Sequence, residues 1–346
     1  MGFHAFFMLK YFSVFILLIV FLGCSTTKQT TPKNVVQPAY TLVYVIHGDG
    51  NYTYHLNSKK YQADEEALAQ AMSMGESAKT GEVLIFHQKP ERKRLLFFPK
   101  KDRVFYHYNG GELVEKTVYS PIDGGLEKES DLFARVKSGS SKRAVLLYYG
   151  HEIPSDSSLV YHRSQPGQNF DINTFADDVG DFRKKFDLVI LSTCNNGSPA
   201  MAKALTGKAD LMVASPRNLH LSHLQSSKLN MLEEDPAVAT ELLADSIAVH
   251  SFDRLSGMVQ TMVTVGVYNL KKTSDYLDGY AKKYEAYLSD RKQETLFTDN
   301  SDCNTLPFIG NEKISDEGTK LYFKPAAFGR EARLKYHSAW GCKQID

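Results

Sequence analysis

The chain has 346 residues, with 41 Lys and Arg against 40 Asp and Glu, and a formal net charge of +1. That balance, with no basic cluster, excludes a nucleic-acid surface built on phosphate attraction, and no GxGxxG or P-loop segment supports a bound nucleotide. Aromatic residues reach 12%, mostly Tyr and Phe in strand-like runs, which is enough apolar mass for one large domain or two small ones.

Lys10 precedes the apolar run Tyr11 to Leu22, which ends in Gly23-Cys24-Ser25. A charge, an apolar run and a small residue before the cut describe a secretory signal over residues 1–24. The Gly-Cys pair resembles a bacterial lipobox, with Cys24 lipidated, although Phe21 stands where Leu is usual. An uncleaved membrane anchor is the other reading, because the apolar run extends back toward Phe3. Residues 25–39 are polar, without periodicity, and read as a tether.

Tyr40–Ile46 reads as a strand, ended by His47-Gly48-Asp49-Gly50, and Ala63–Ser77 has apolar residues at helical spacing. Gly81–His87 is the next strand. Arg94–Phe98 and Arg103–Tyr108 read as the two arms of a hairpin around Pro99 to Asp102, and Asn109-Gly110-Gly111 turns the chain. A helix is expected over Gly125–Val136, a buried strand over Arg143–Tyr149 ended by Gly150-His151-Glu152, and a helix over Phe170–Phe186.

Asp187–Thr193 is an apolar run that leads into Cys194, stopped by Asn195-Asn196-Gly197. A short helix, Ser198–Leu205, and another strand, Ala209–Ser215, follow. Further on come a helix from Glu234 or Pro236 to about His250, a strand over Met258–Tyr268, a Tyr- and Lys-rich helix over Thr273–Ser289, and an irregular tail from Asp299. Strands alternating with helices predict a three-layer α/β fold with a mostly parallel central sheet. The domain is expected over 40–298, with 299–346 as a C-terminal extension. That extension holds Cys303 and Cys342, which in an exported chain are either joined in a disulfide or both reduced.

Cys194 is then the cysteine left over. It stands at the carboxyl end of a strand with a helix just beyond, where ligands bind in open α/β sheets and where a helix N-terminus favours a thiolate. A buried structural cysteine is the competing interpretation. A thiol nucleophile needs a base within reach. His151 ends the preceding buried strand, and right-handed crossovers commonly make such strands neighbours. His47 ends the first strand and competes; His47-Gly48 would suit an esterase, but no GxSxG elbow accompanies it. His220 and His223 are close together without an obvious third ligand, so neither a metal nor another cofactor is expected.

The order strand–His, helix, strand–Cys resembles the caspase-like clan of cysteine peptidases, and within it the clostripain-like family. The similar segments are Tyr148–Glu152, Asp187–Cys194, Ala200–Leu205, Ala209–Ser215 and Leu232–Pro236. The resemblance implies peptide-bond cleavage by a Cys194–His151 dyad, with backbone N–H groups of Glu152 and Cys194 holding the oxyanion. It implies a substrate pocket at Asp49, Ser192 and Ser215. Three departures stand out. Glu152 replaces the family's Gly after the His. Ser192 replaces the acid two residues before the Cys. Pro216–Lys228 has no Asp or Glu. A basic P1 preference therefore loses its usual anchor, unless Asp49 supplies one. The expected partners are a peptide or protein substrate and, through Cys24, a membrane, with the protein exported to the bacterial outer membrane or cell surface. The departures also motivate an alternative: an inactive, caspase-like surface lipoprotein acting as a binding module. Self-cleavage between Glu152 and Lys185 is a further expectation, from the segment's length and from Arg163 and Lys184-Lys185.

Overall fold

The computed structural model describes residues 37–48, 52–89, 102–120, 125–137, 141–154, 170–220, 224–274, 277–278, 318–333 and 339. In chain order the elements are β1 (Tyr40–His47), β2 (Thr53–Leu56), β3 (Lys59–Gln62), α1 (Ala63–Ser77), β4 (Glu82–Gln88), β5 (Arg103–Asn109), β6 (Glu112–Tyr119), α2 (Glu127–Val136), β7 (Arg143–Tyr149), α3 (Ile172–Phe182), β8 (Phe186–Ser192), α4 (Pro199–Leu205), β9 (Ala209–Ala214), α5 (Thr240–Met258), β10 (Val263–Asn269) and β11 (Thr319–Lys324). Cys24, Asp49, Cys303 and Cys342 lie outside the described residues, as do the signal segment, most of the tether and the 155–169 part of the expected self-cleavage segment.

Nine strands form one sheet in the order β11-β10-β9-β8-β7-β1-β4-β5-β6. The five in the middle, β9, β8, β7, β1 and β4, are parallel, whereas β10 and β11 on one side and β5 and β6 on the other run antiparallel. The expected mostly parallel centre is present, and the antiparallel flanks extend it.

The central strands are apolar on both faces because both faces are covered. In β8, Leu188 and Ile190 point to one core and Val189 and Leu191 to the other, all four fully buried. Burying each such side chain contributes about 1.5–3 kcal/mol. One layer is built from α2, α3 and α4 through Phe133, Phe175, Val179, Met201 and Leu205. The opposite layer is built from α1 and α5 through Ala71, Met74, Leu243 and Ile247. Two helix starts are set by side-chain caps. Asp171 accepts from the Thr174 N–H at 2.8 Å, and Ser198 accepts from the Met201 N–H at 3.3 Å with Pro199 opening α4.

Several elements differ from expectation. β5 pairs with β4 on one side and β6 on the other, across the Asn109-Gly110-Gly111 turn. Arg94–Phe98, expected as its hairpin partner, lies outside the described residues. Both β4 and β6 supply the ladder that the hairpin was expected to provide. The helix expected over Phe170–Phe186 is confined to α3, since Phe186 already belongs to β8 and is fully buried in the sheet. The helix expected from Glu234 or Pro236 to about His250 starts at Thr240, after a single turn at Met231–Glu234, and runs through Met258, so the strand expected from Met258 begins only at Val263. The tail, read as irregular, contributes β11, which pairs with β10 from Val263–Lys324 to Tyr268–Thr319. The described chain enters at Gln37, beside the amino end of β1.

Candidate active site

β7 and β8 are adjacent and parallel, and their last registered pair is Tyr149 with Ser192. Gly150 N–H then donates to the Ser192 carbonyl at 3.4 Å. His151 and Cys194 each stand two residues past that pair, on neighbouring strand ends at the carboxyl edge of the sheet. Both side chains are half-buried. His47 lies one strand further away, at the end of β1. It is buried, with its Nδ1 3.3 Å from the Tyr148 hydroxyl and the two rings edge-to-face.

The loops carrying His151 and Cys194 are clamped together. The buried Asn196 side chain accepts from the Ile153 N–H at 2.9 Å and donates to the Ile153 carbonyl at 2.8 Å. Thr193 Oγ1 donates to the same Asn196 oxygen at 2.6 Å. Asn195, in the left-handed region at φ 55°, donates its side-chain amide to Glu152 Oε2 at 2.7 Å and to Asn218 Oδ1 at 3.3 Å. The exposed Glu152, which stands where the resemblance noted above implies Gly, thus closes a contact between the two loops. Gly197 is required by close approach: a Cβ there would stand 2.5 Å from the Tyr268 hydroxyl and 2.6 Å from Pro216 N.

The segment after β9 packs against the thiol. Leu219 N–H donates toward Cys194 Sγ at 3.3 Å, and Sγ lies 3.6 Å from the Leu219 carbonyl oxygen. The N–H that meets the sulfur thus comes from Leu219. Helix α4, expected to favour a thiolate through its N-terminus, has its first turn capped by Ser198 and buries Met201 and Leu205 in the layer with α2 and α3. Arg217 accepts from the Asn195 N–H through its carbonyl at 3.0 Å, and its side chain is 2% exposed.

Two of the expected pocket residues are buried and hydrogen-bonded. Ser192 Oγ accepts from the Leu224 N–H at 3.0 Å. Ser215 Oγ donates to the Arg217 carbonyl at 2.9 Å and lies 2.9 Å from Thr264 Oγ1. The sequence signals for Asn196, Leu219 and Tyr52 were absent. The first is one of two turn residues, and the second and third stand outside every element expected from the sequence.

Aromatic rings line the region. Tyr52 packs against His151 at 4.5 Å between centroids and against Tyr149 at 5.6 Å. Tyr54 stacks on Tyr61 at 5.2 Å and meets His220 edge-on at 5.2 Å. Burial, with the Arg254 cation nearby, holds the His220 imidazole below its usual range. Among the described residues, no group of three or more His, Cys, Asp or Glu could hold a metal ion, and no helix is long and apolar enough to cross a membrane.

A large sheet with a parallel centre and helices on both faces is the fold this chain shares with solved C11, or clostripain-like, cysteine proteases. The solved structures to which the chain is similar include two secreted C11 cysteine proteases from Bacteroides thetaiotaomicron. One is called iotapain, with 16% identity, a TM-score of 0.52, and 73% of this chain and 71% of that chain covered. The other, in complex with an irreversible peptide inhibitor, has 13% identity and a TM-score of 0.51, covering 72% and 70%. An inactive zymogen C11 protease from Parabacteroides distasonis aligns at 17% identity and a TM-score of 0.49, covering 78% and 70%. At these identities the likeness is one of fold. No protein-family model matches the sequence, and no curated protein matches it.

Proposed function

We propose that the protein is a cysteine endopeptidase in which Cys194 attacks the scissile carbonyl and His151 serves as general acid and base. The sulfur–carbon bond forms as the carbon–nitrogen bond breaks, and His151 delivers a proton to the leaving amine. Water, positioned by the same imidazole, then releases the acyl group. Backbone N–H groups of Cys194 and Glu152 hold the oxyanion. The observation that carries this reading is the strand register, which sets His151 and Cys194 at the same level on adjacent strands.

A basic P1 preference lacks its usual acidic anchor in this sequence. Ser192 is buried with its hydroxyl accepting from Leu224, and residues 216–228 contain Arg217 and no acid. Asp49 is the remaining candidate for an acidic anchor. We further propose export, in keeping with the two secreted structural neighbours, and, from the Gly23-Cys24 pair alone, a lipid on Cys24. Cys303 and Cys342 are proposed as a disulfide of the extension.

The Leu219 peptide against Sγ favours a second reading, a binding module with an occluded thiol. One experiment separates the two. Iodoacetamide labelling followed by peptide mapping, alongside cleavage of a peptide library varied at P1, is run on wild type and Cys194→Ala. Selective Cys194 labelling with cleavage that Cys194→Ala abolishes is expected. A folded wild type that leaves the whole library intact overturns the peptidase reading in favour of the binding module.

A further inference from the structure

His151 lies beyond the end of β7, in a loop, where an imidazole has rotational freedom unless something walls it in. A proton carrier must hold one ring nitrogen toward the thiol, so ring orientation is part of the chemistry. Tyr52 supplies one such wall. Its ring lies 4.5 Å from the His151 ring at 34° and 5.6 Å from Tyr149 at 56°, and the residue is 7% exposed.

Tyr52 is itself held firmly. Its carbonyl accepts from the Ala63 N–H, at the start of α1, at 2.8 Å. Directly after it, the β2–β3 hairpin is braced on the same helix. Tyr54 stacks on Tyr61, and its hydroxyl donates to Glu66 at 2.9–3.0 Å. The ring facing His151 therefore belongs to the α1 layer rather than to a mobile flap. His151 is pressed from one side by this ring, while its loop is fixed two residues on by the Ile153–Asn196 bonds.

We propose that Tyr52 is a positioning residue, whose ring fixes the orientation of the His151 imidazole for its work on Cys194, with the phenolic hydroxyl dispensable. This rests on the dyad reading above. A packing role alone would be met by any apolar side chain of similar bulk; positioning requires a flat ring.

The test uses the full chain as wild type, Tyr52→Phe, Tyr52→Leu and His151→Gln. It measures the rate of Cys194 alkylation by iodoacetamide at neutral pH, kcat and KM on a cleaved peptide, and the urea midpoint. The expected result is that His151→Gln and Tyr52→Leu both slow alkylation about tenfold or more. Tyr52→Leu also lowers kcat by a similar factor with KM within about twofold, and Tyr52→Phe stays within about twofold of wild type throughout. If His151→Gln slows alkylation and Tyr52→Leu does not, positioning by Tyr52 is overturned while the dyad stands. If Tyr52→Phe falls as far as Tyr52→Leu, the hydroxyl rather than the ring carries the effect, and the proposal fails. If His151→Gln changes nothing, the dyad itself fails and takes this inference with it. Histidine NMR guards against a misfolded variant: the ring-current shift that Tyr52 imposes on the His151 protons persists in Tyr52→Phe and disappears in Tyr52→Leu.

Discussion

Replacing Asn196 with Ala removes three hydrogen bonds at once. The Ile153 N–H and carbonyl lose their side-chain partner, and so does the Thr193 hydroxyl. Ile153 is 1% exposed and Thr193 2%, so water does not reach these groups without the loops opening. A buried group left unsatisfied costs about 1–3 kcal/mol, and three at the low end give about 3 kcal/mol. Urea unfolding read by fluorescence should show a lower midpoint at unchanged slope, with a stability loss of about that size. Asn196→Asp sharpens the test, because it keeps both accepting contacts but turns a carboxylate oxygen toward the Ile153 carbonyl. That repulsion raises the introduced group's folded pKa above its unfolded value near about 3.9. The variant's deficit against wild type should therefore be largest at neutral pH and shrink as pH falls and the carboxyl protonates into a donor. An Asn196→Ala loss below about 1 kcal/mol would refute the clamp as the tie between the two loops, since even one stranded group should cost that much.

Two buried groups predict opposite pH slopes. His87, 5% exposed on β4, has its pKa pushed down to about 4 by burial and then by Lys89. Its folded pKa lies below the unfolded one, so its contribution is whole above about 6.5 and lost as pH falls toward 4. His87→Phe should flatten the acid limb of a urea-midpoint series between those values. Asp178 has its carboxyl raised to about 6 by burial, with Asp181, Glu129 and Asp177 adding to the shift and the Leu126 N–H opposing it. Here the folded pKa is the higher one, so stability is greatest below about 4 and declines as pH rises through 6. Asp178→Asn keeps an acceptor for Leu126 and should remove that decline. Gly197→Ala should cost about 1–3 kcal/mol, because its Cβ meets Pro216 backbone and the Tyr268 hydroxyl inside van der Waals distance. An unchanged urea midpoint would contradict that close approach.

The sheet's centre was legible because its strands are buried on both faces and so read as continuous apolar runs, from Tyr40 to Ala214. The helix Ala63–Ser77 was legible end to end from its periodicity. What escaped lies at edges. β6 carries Leu113, Val114 and Val118 exposed, with no clean alternation, because only its Tyr119 end is covered. The β2–β3 hairpin turns through Asn57 and Ser58 at φ 50° and 62°, and Ser is a weak signal for a position that favours Gly. β11 (Thr319–Lys324) stands far from β10 (Val263–Asn269) in sequence, so only its pairing with β10 identifies it. At the site, His151 and Cys194 were legible because strand order implies register. Tyr52 and Leu219 were not, since both reach His151 and Cys194 from other segments that only folding brings near.

The amino end of β1 lies at the sheet edge opposite the one that carries His151 and Cys194, and this governs how the molecule can be handled. Gln37 precedes β1 at its amino end, and the eight residues of β1 span roughly 26 Å before the carboxyl edge is reached. A chromatographic or sensor support coupled at Gln37 grips the molecule on the side remote from Cys194. Large protein ligands and short peptides then meet the same carboxyl edge. The ratio of their association rates should be equal for immobilised and free protein, whereas coupling through the loops beyond β7 or β8 would penalise the large ligand first.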